Sequence, residues 1–242
     1  MRLIGVLGGM SWESTKTYYE LMNEETARRL GGLASARILL SSVDFSRFAA
    51  SMAAGDWDSI RSALVEEACR LKRGGAEALV VATNTMHIFA ADMETAAGVP
   101  LLHIADAAAA AIARSRAAKV GLLGTRSTME KDFYRRRLSE VHGIEAIVPG
   151  DEEKAEIDRI IFEELCRGRF LPGSRERLRA VARGLAERGA EGIVLGCTEL
   201  PLAMKDGDLG IPYWDTTELH AMAAVDFMLG DAGAEAAPGT SR

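Results

Sequence analysis

GGAEALVVATNT, at residues 74–85, decides the fold, because the chain writes it a second time as RGAEGIVLGCTE at 188–199. At a spacing of 114, Gly75 falls on Gly189, Ala76 on Ala190 and Glu77 on Glu191. Leu79-Val80-Val81 falls on Ile193-Val194-Leu195, and Thr83 falls on Cys197. A second echo keeps step with the first, since IGVLGGM at 4–10 resembles VGLLGTR at 120–126. Each repeated segment reads as a buried strand followed by a polar turn. Two such units in register predict a duplicated domain in which each copy offers one side chain at the same position. One copy offers a threonine and the other a cysteine.

Working outward from the repeat, short runs rich in Val, Ile and Leu alternate with longer helical stretches. That alternation is the signature of parallel sheets covered by helices on both faces. Strands are expected at 3–7, 37–43, 77–82, 101–103, 119–123, 144–148 and 191–195. Helices are expected at 14–30, 57–73, 86–97, 105–115, 127–141, 152–167, 174–188 and 217–229. Ser14 is the expected cap of the first helix and Gly31-Gly32 its end. Asp56 and Gly74 frame the helix before the third strand, and Gly189 closes the one before 191–195. The fold class is α/β, with two similar parallel-sheet domains. Residues 1–103 plus 213–230 are expected to form the first and 104–212 the second, with 231–242 a disordered tail short of apolar anchors. Both copies of the repeat end at the carboxyl edge of a strand, where open α/β sheets bind ligands.

Composition narrows the classes of function. The 242 residues can bury one large core or two smaller ones. Basic residues number 29 against 35 acidic, without a basic stripe interleaved with aromatics, so no nucleic-acid partner is expected. Arg135-Arg136-Arg137 reads as a solvated helix face. The chain opens directly into strand-like LIGVL with no basic leader, and ADAAAAAIA at 105–113 is too short to span a bilayer. Three widely separated cysteines, Cys69, Cys166 and Cys197, give neither a disulfide framework nor a metal spacing. A cytoplasmic protein with no membrane partner is the plain expectation.

Several residues could carry chemistry. The turn Leu7-Gly8-Gly9-Met10-Ser11 lacks the GxGxxG spacing, and no Walker lysine follows, which disfavours a nucleotide. It suits a tight turn that brings Met10 and Ser11 near a small carboxylate ligand, or a turn with a purely structural role. Cys197, in LGCTEL, follows a buried strand at what reads as a helix start, a setting that lowers a thiol pKa. A thiolate base or nucleophile is expected there rather than a packing cysteine. Cys69 reads as packing within an amphipathic helix, and Cys166 is open to either reading. In the first copy, Thr83 is followed by Asn84-Thr85-Met86-His87, where Asn84 and Thr85 offer donors suited to a carboxylate. His103 either lines a site or satisfies the core, while His142 and His220 read as exposed helix ends. No paired His or acidic residues have metal-helix spacing, no Ser lies in GxSxG, and no Lys is set for a Schiff base. No metal and no cofactor are expected.

Taken together, IGVLGGM, TNTMH and LGCTEL resemble the aspartate/glutamate racemase family, which is cofactor-independent and related to hydantoin racemases. The likeness runs to about residue 229, and GGMSWEST from Gly8 to Thr15 resembles the broad-specificity amino-acid racemase branch. The resemblance implies two α/β domains related by a pseudo-two-fold axis, with an active site in the cleft between them and a homodimeric assembly. It implies catalysis by two cysteines on opposite faces of the substrate α-carbon, one removing the α-proton and the other returning one. Cys197 matches that pattern; Thr83 stands where the other cysteine is usual. By the same resemblance Met10, Asn84, Thr85, Thr125, Thr198 and Glu199 contact a small amino-acid substrate. Glu199 orients the thiol or meets the ammonium group rather than serving as the base, and a position that is often lysine falls near Cys166. The implied function is racemisation by α-proton abstraction and reprotonation, with the two enantiomers handled unequally. Two other readings stand beside it: a catalytically lapsed amino-acid-binding protein, and a single-cysteine decarboxylase of the same superfamily.

Overall fold

The computed structural model describes residues 1–204 and 210–230, so the expected tail lies outside the described residues. Strand β1 (Ile4–Gly8) leads into α1 (Trp12–Leu30), then β2 (Ile38–Ser42), α2 (Phe45–Ala54), α3 (Trp57–Arg73) and β3 (Ala78–Val81). A 3₁₀ turn over Thr85–Phe89 precedes α4 (Ala90–Ala97) and α5 (Ile104–Ser115). The second half continues with β4 (Lys119–Gly124), α6 (Arg126–Glu130), α7 (Asp132–Arg136), β5 (Glu145–Ile147), α8 (Asp151–Glu163) and α9 (Pro172–Glu187). It ends with β6 (Ile193–Gly196), α10 (Leu200–Ala203), β7 (Tyr213–Asp215) and α11 (Thr216–Leu229).

Two all-parallel sheets result, ordered β2-β1-β3 and β5-β4-β6-β7. The chain divides into two compact units. One holds Met1–Ala82, Phe89–Leu102 and the chain from His220; the other holds Thr83–Ile88 and His103–Leu219. Residues 213–219 therefore belong with the second unit, not the first as the sequence suggested. The reason is β7, a short strand that pairs with β6 through Leu195 and Asp215 and so fastens this stretch to the second sheet. The six residues Thr83–Ile88 likewise leave the first half of the chain for the second unit.

The repeated Gly-Ala-Glu does the same work in both copies. Gly75 and Gly189 adopt φ of 97° and 92°, a left-handed turn that a side chain would strain. Ala76 and Ala190 are buried beneath it. Glu77 then donates its N–H to the Leu3 carbonyl at 2.8 Å while its Oε1 accepts from the Leu3 N–H at 2.8 Å. Glu191 repeats this on β4, donating to the Lys119 carbonyl at 2.9 Å and accepting from the Ala118 and Lys119 amides at 2.9 and 3.0 Å. Each glutamate thus satisfies backbone groups at the start of the neighbouring strand and sets its register.

The apolar runs that follow are buried on both faces. In the second unit Leu123, Ile193 and Leu195 pack against α8 and α9 through Ile157, Ile160, Ile161, Leu178 and Leu185. On the other face, Val120, Leu122 and Val194 meet α5 and Tyr134. In the first unit Ile4, Val6, Ala78 and Val80 face Tyr18 and Met22 of α1 and Ala224, Val225 and Met228 of α11. Full burial of each such aliphatic side chain is worth about 1.5–3 kcal/mol, so these faces carry most of the stabilisation.

Local chemistry changes several expected boundaries. The cap of α1 is Ser11, whose hydroxyl accepts from the Ser14 N–H at 3.4 Å, rather than Ser14 itself. Asp56 caps α3 as expected. Asp44 caps α2, a helix the sequence reading passed over. The stretch 127–141 is not one helix: Lys131 is extended at ψ 136°, which separates α6 from α7, and a π turn covers Arg137–Val141. The strand expected at 101–103 reduces to a single bridge between Leu101 and Leu79.

Candidate active site

The carboxyl edge of the second sheet gathers the candidate residues. Gly124 of β4 and Gly196 of β6 lie in register, and a Cβ on Gly124 would stand 2.7 Å from the Gly196 carbonyl oxygen. Only glycine allows that approach, so the turns after β4 and β6 leave the sheet side by side. Thr125 follows the first strand and Cys197 the second.

Cys197 is buried, and its Sγ donates to Glu199 Oε2 at 3.1 Å. The Thr198 hydroxyl donates to the same Oε2 at 2.9 Å, and Glu199 is only 3% exposed. Burial pushes the thiol well above its ordinary value, and the Glu199 carboxylate and the Cys166 thiol push in the same direction. The Glu199 backbone N–H works the other way by favouring the thiolate. The expected helix-lowered thiolate is thereby corrected. Helix α10 is four residues long and begins only at Leu200, so it supplies little dipole, while burial and a neighbouring carboxylate favour the protonated thiol.

Thr83, Asn84 and Thr85 lie in the same unit and are all buried. Asn84 Nδ2 donates to Thr216 Oγ1 at 3.1 Å, and the Thr216 hydroxyl donates to the Leu195 carbonyl at 2.8 Å, two residues before Cys197. The two copies of the repeat are therefore linked through Thr216. Thr85, Thr125 and Thr128 form a triangle of hydroxyls, with Oγ1 separations of 2.9, 3.1 and 3.2 Å. Around such a ring each hydroxyl both donates and accepts, and any one can turn its proton outward while still accepting.

The side-chain donors expected for a carboxylate are thus largely committed within the protein: Asn84 to Thr216, Thr198 to Glu199, and Thr85 to the hydroxyl ring. Sequence reasoning missed Thr216 and Thr128. No motif marks either one; β7 brings the first to the edge, and the turn after β4 brings the second. Met10 is buried at the carboxyl edge of β1 in the first unit, where Ser11 caps α1.

Of the histidines weighed from the sequence, His220 departs from its expected place, whereas His103 takes the core alternative. His87 donates from Nδ1 to the Thr83 carbonyl at 2.8 Å and accepts at Nε2 from the Ile104 N–H at 3.3 Å. That pair of bonds fixes its tautomer and pins the backbone at Thr83. His103 accepts from the Ala105 N–H and caps α5. His220 is fully buried, accepting from the Tyr18 hydroxyl and donating to the Leu102 carbonyl, so it is a core histidine and not an exposed helix end. His142 is exposed at the end of the π turn, as expected, and meets Asp106 at 2.9 Å, while the half-buried Arg137 clasps the same carboxylate with two bonds of 2.6 and 2.7 Å. Cys69 bonds the Ala96 carbonyl, and Cys166 packs against the core cluster that contains Cys197. Among the described residues, no group of three His, Cys, Asp or Glu could hold a metal ion, and no helix is long and apolar enough to cross a membrane.

With the geometry in place, similarity to known proteins becomes informative. Residues 7–224 match the family model described as Asp/Glu/Hydantoin racemase. The chain is 23% identical to the broad specificity amino-acid racemase RacX of Bacillus subtilis strain 168, over 94% of this chain and 98% of that one. It is 49% identical to the crystal structure of a candidate Asp/Glu racemase from Yersinia pestis, with a TM-score of 0.88 over 95% of this chain and 100% of that one. An aspartate racemase homologue from Pyrococcus horikoshii OT3 is 37% identical at a TM-score of 0.80, covering 94% and 99% of the two chains. These likenesses and the matched residues agree: the chain belongs to the Asp/Glu/Hydantoin racemase family and is an enzyme of the racemase class, an isomerase.

Proposed function

We propose that the chain is a cofactor-independent amino-acid racemase in which Cys197 handles the α-proton and Thr83 occupies the opposing position. The observation that carries this reading is the buried Cys197–Glu199 bond at 3.1 Å. A thiol raised above its ordinary pKa is a poor base until something takes its proton. Glu199 Oε2 is placed to take it, and the Glu199 N–H then stabilises the thiolate that remains.

The thiolate removes the α-proton of the enantiomer that presents it, leaving a carbanion whose charge spreads into the carboxylate. A hydroxyl of the Thr85–Thr125–Thr128 ring turns outward to meet that charge in a site where water competes weakly. Reprotonation comes from the Thr83 face, where the hydroxyl draws a replacement proton from solvent as it gives up its own. Glu199 releases to solvent the proton it took from the thiol. The Thr83 hydroxyl is far less acidic than a thiol, so that face is the slower one. Asn84, Thr85, Thr125, Thr198 and Glu199 complete the substrate contacts, and the substrate is an acidic or related amino acid. No cofactor enters this chemistry, and the active assembly is a homodimer.

The test follows deuterium incorporation at the α-carbon in heavy water for each enantiomer separately, across a panel of amino acids. One enantiomer should exchange faster than its mirror image. Equal exchange of both removes the asymmetry, and exchange of neither removes the racemase reading.

A further inference from the structure

Asn84 is held in one orientation, and that orientation leaves an acceptor rather than a donor available. A hydroxyl has a single proton. The Leu195 carbonyl can only accept, so the Thr216 proton is directed to it at 2.8 Å. Thr216 Oγ1 must then accept from Asn84, which requires the amide nitrogen on that side, at 3.1 Å. The opposite atom, Asn84 Oδ1, is buried and has no hydrogen-bond partner among the described residues, on a side chain that is 2% exposed. A buried carbonyl oxygen of this kind carries a desolvation penalty that a bound donor relieves.

We propose that Thr216 is a positioning residue that sets Asn84 to accept a hydrogen bond from the substrate α-ammonium group. The inference rests on the racemase reading above, and it assigns Asn84 the opposite role from the carboxylate donor suggested by the sequence. On a zwitterionic amino acid the carboxylate only accepts, whereas the ammonium group has three N–H donors. The free Oδ1 therefore matches the ammonium alone. With the nitrogen held this way, the α-carbon is oriented by a relay whose far end is the backbone of the Cys197 strand. Thr216 touches no reacting atom in this scheme; it acts through Asn84.

The experiment measures KM and kcat by α-deuterium exchange for the wild type, Asn84→Ala, Thr216→Val and Thr216→Ser, with a thermal melt of each. Asn84→Ala should raise KM at least about tenfold, since it removes both the oriented amide and its acceptor oxygen. Thr216→Val should raise KM about tenfold with kcat nearly unchanged, the size of one lost orienting hydrogen bond, and Thr216→Ser should restore the wild-type value. A KM in Asn84→Ala that stays within about threefold of the wild type overturns the assignment. An unchanged KM in Thr216→Val overturns it as well. Should either variant lose its melting transition, the wild type decides alone. The carboxylic acid of the same carbon skeleton without the amino group should inhibit it about a hundredfold more weakly than the amino acid binds, and equal binding overturns the proposal. Wild-type enzyme that exchanges no amino acid defeats the racemase reading itself, a result distinct from all of these.

Discussion

The two copies of the repeat start alike and finish in opposite ways. Up to the end of the strand they are interchangeable: a left-handed glycine, a buried alanine, a glutamate on the neighbouring strand, and a buried apolar run. Beyond it, Thr83-Asn84-Thr85 ties itself to distant parts of its unit, through Thr216, Thr125, Thr128 and His87. Cys197-Thr198-Glu199 instead closes on itself, both side chains donating to one carboxylate oxygen. Duplication has given one scaffold two kinds of end, one that holds position and one that holds a proton.

That contrast can be broken most sharply at the proton-holding end. Cys197→Ser should reduce α-proton exchange by about 10³-fold or more, at the upper part of what a positioned acid–base group contributes. Substantial retained exchange would remove the thiol from the chemistry. Glu199→Gln should lower kcat by about 10²-fold, because the thiol loses its proton acceptor. The same change removes a negative charge that raises the thiol, so the rising limb of the pH–rate profile should move to lower pH. A limb that moves upward, or an unchanged kcat, would separate Glu199 from Cys197.

The position-holding end gives smaller effects. Thr83→Cys makes the two ends chemically alike and should speed the slower enantiomer about tenfold, a modest share of a full acid–base contribution because the surrounding shell is built for threonine. No gain would mean that Thr83 does not face the reacting carbon. Thr85→Val breaks the hydroxyl ring and leaves Thr125 and Thr128 one partner short, at a cost of about 1–2 kcal/mol in a denaturant titration. The matched halves of the repeat should respond equally and least. Glu77→Gln and Glu191→Gln are each expected to lower the melting temperature slightly and by similar amounts. For Glu191, backbone N–H groups hold the carboxyl below its ordinary value, so its contribution is present above the usual carboxylate pKa and lost as pH falls through the lowered one. Unequal responses would show that the shared motif does unequal work.

How much of this was legible in the sequence follows the same divide. Gly75 and Gly189, Glu77 and Glu191, and the apolar runs announced two parallel sheets because their roles are local and periodic. Cys197 and Thr83 were legible as a mismatch inside a repeat. Thr216 and Thr128 were not, since their importance comes from tertiary pairing that no short window of sequence contains. The thiol was misjudged for a related reason. A strand followed by a helix suggests a dipole, but the helix is one turn long, and burial with a nearby carboxylate dominates. The boundary at 213 failed because a three-residue strand carries too little pattern to be seen, although its pairing with β6 decides which unit owns it.

The excursion of Thr83–Ile88 into the second unit has a consequence for dissecting the protein. The duplication invites a cut near residue 103 that would yield two autonomous modules. Such a cut would take from the second module the imidazole that accepts from the Ile104 amide, the amide that meets Thr216 and one corner of the hydroxyl ring. The C-terminal fragment should fold poorly on its own and recover order when a peptide spanning residues 83–88 is supplied in trans. What the sequence repeats, tertiary bonding has divided unequally, and the second unit is expected to depend on six residues on loan from the first half of the chain.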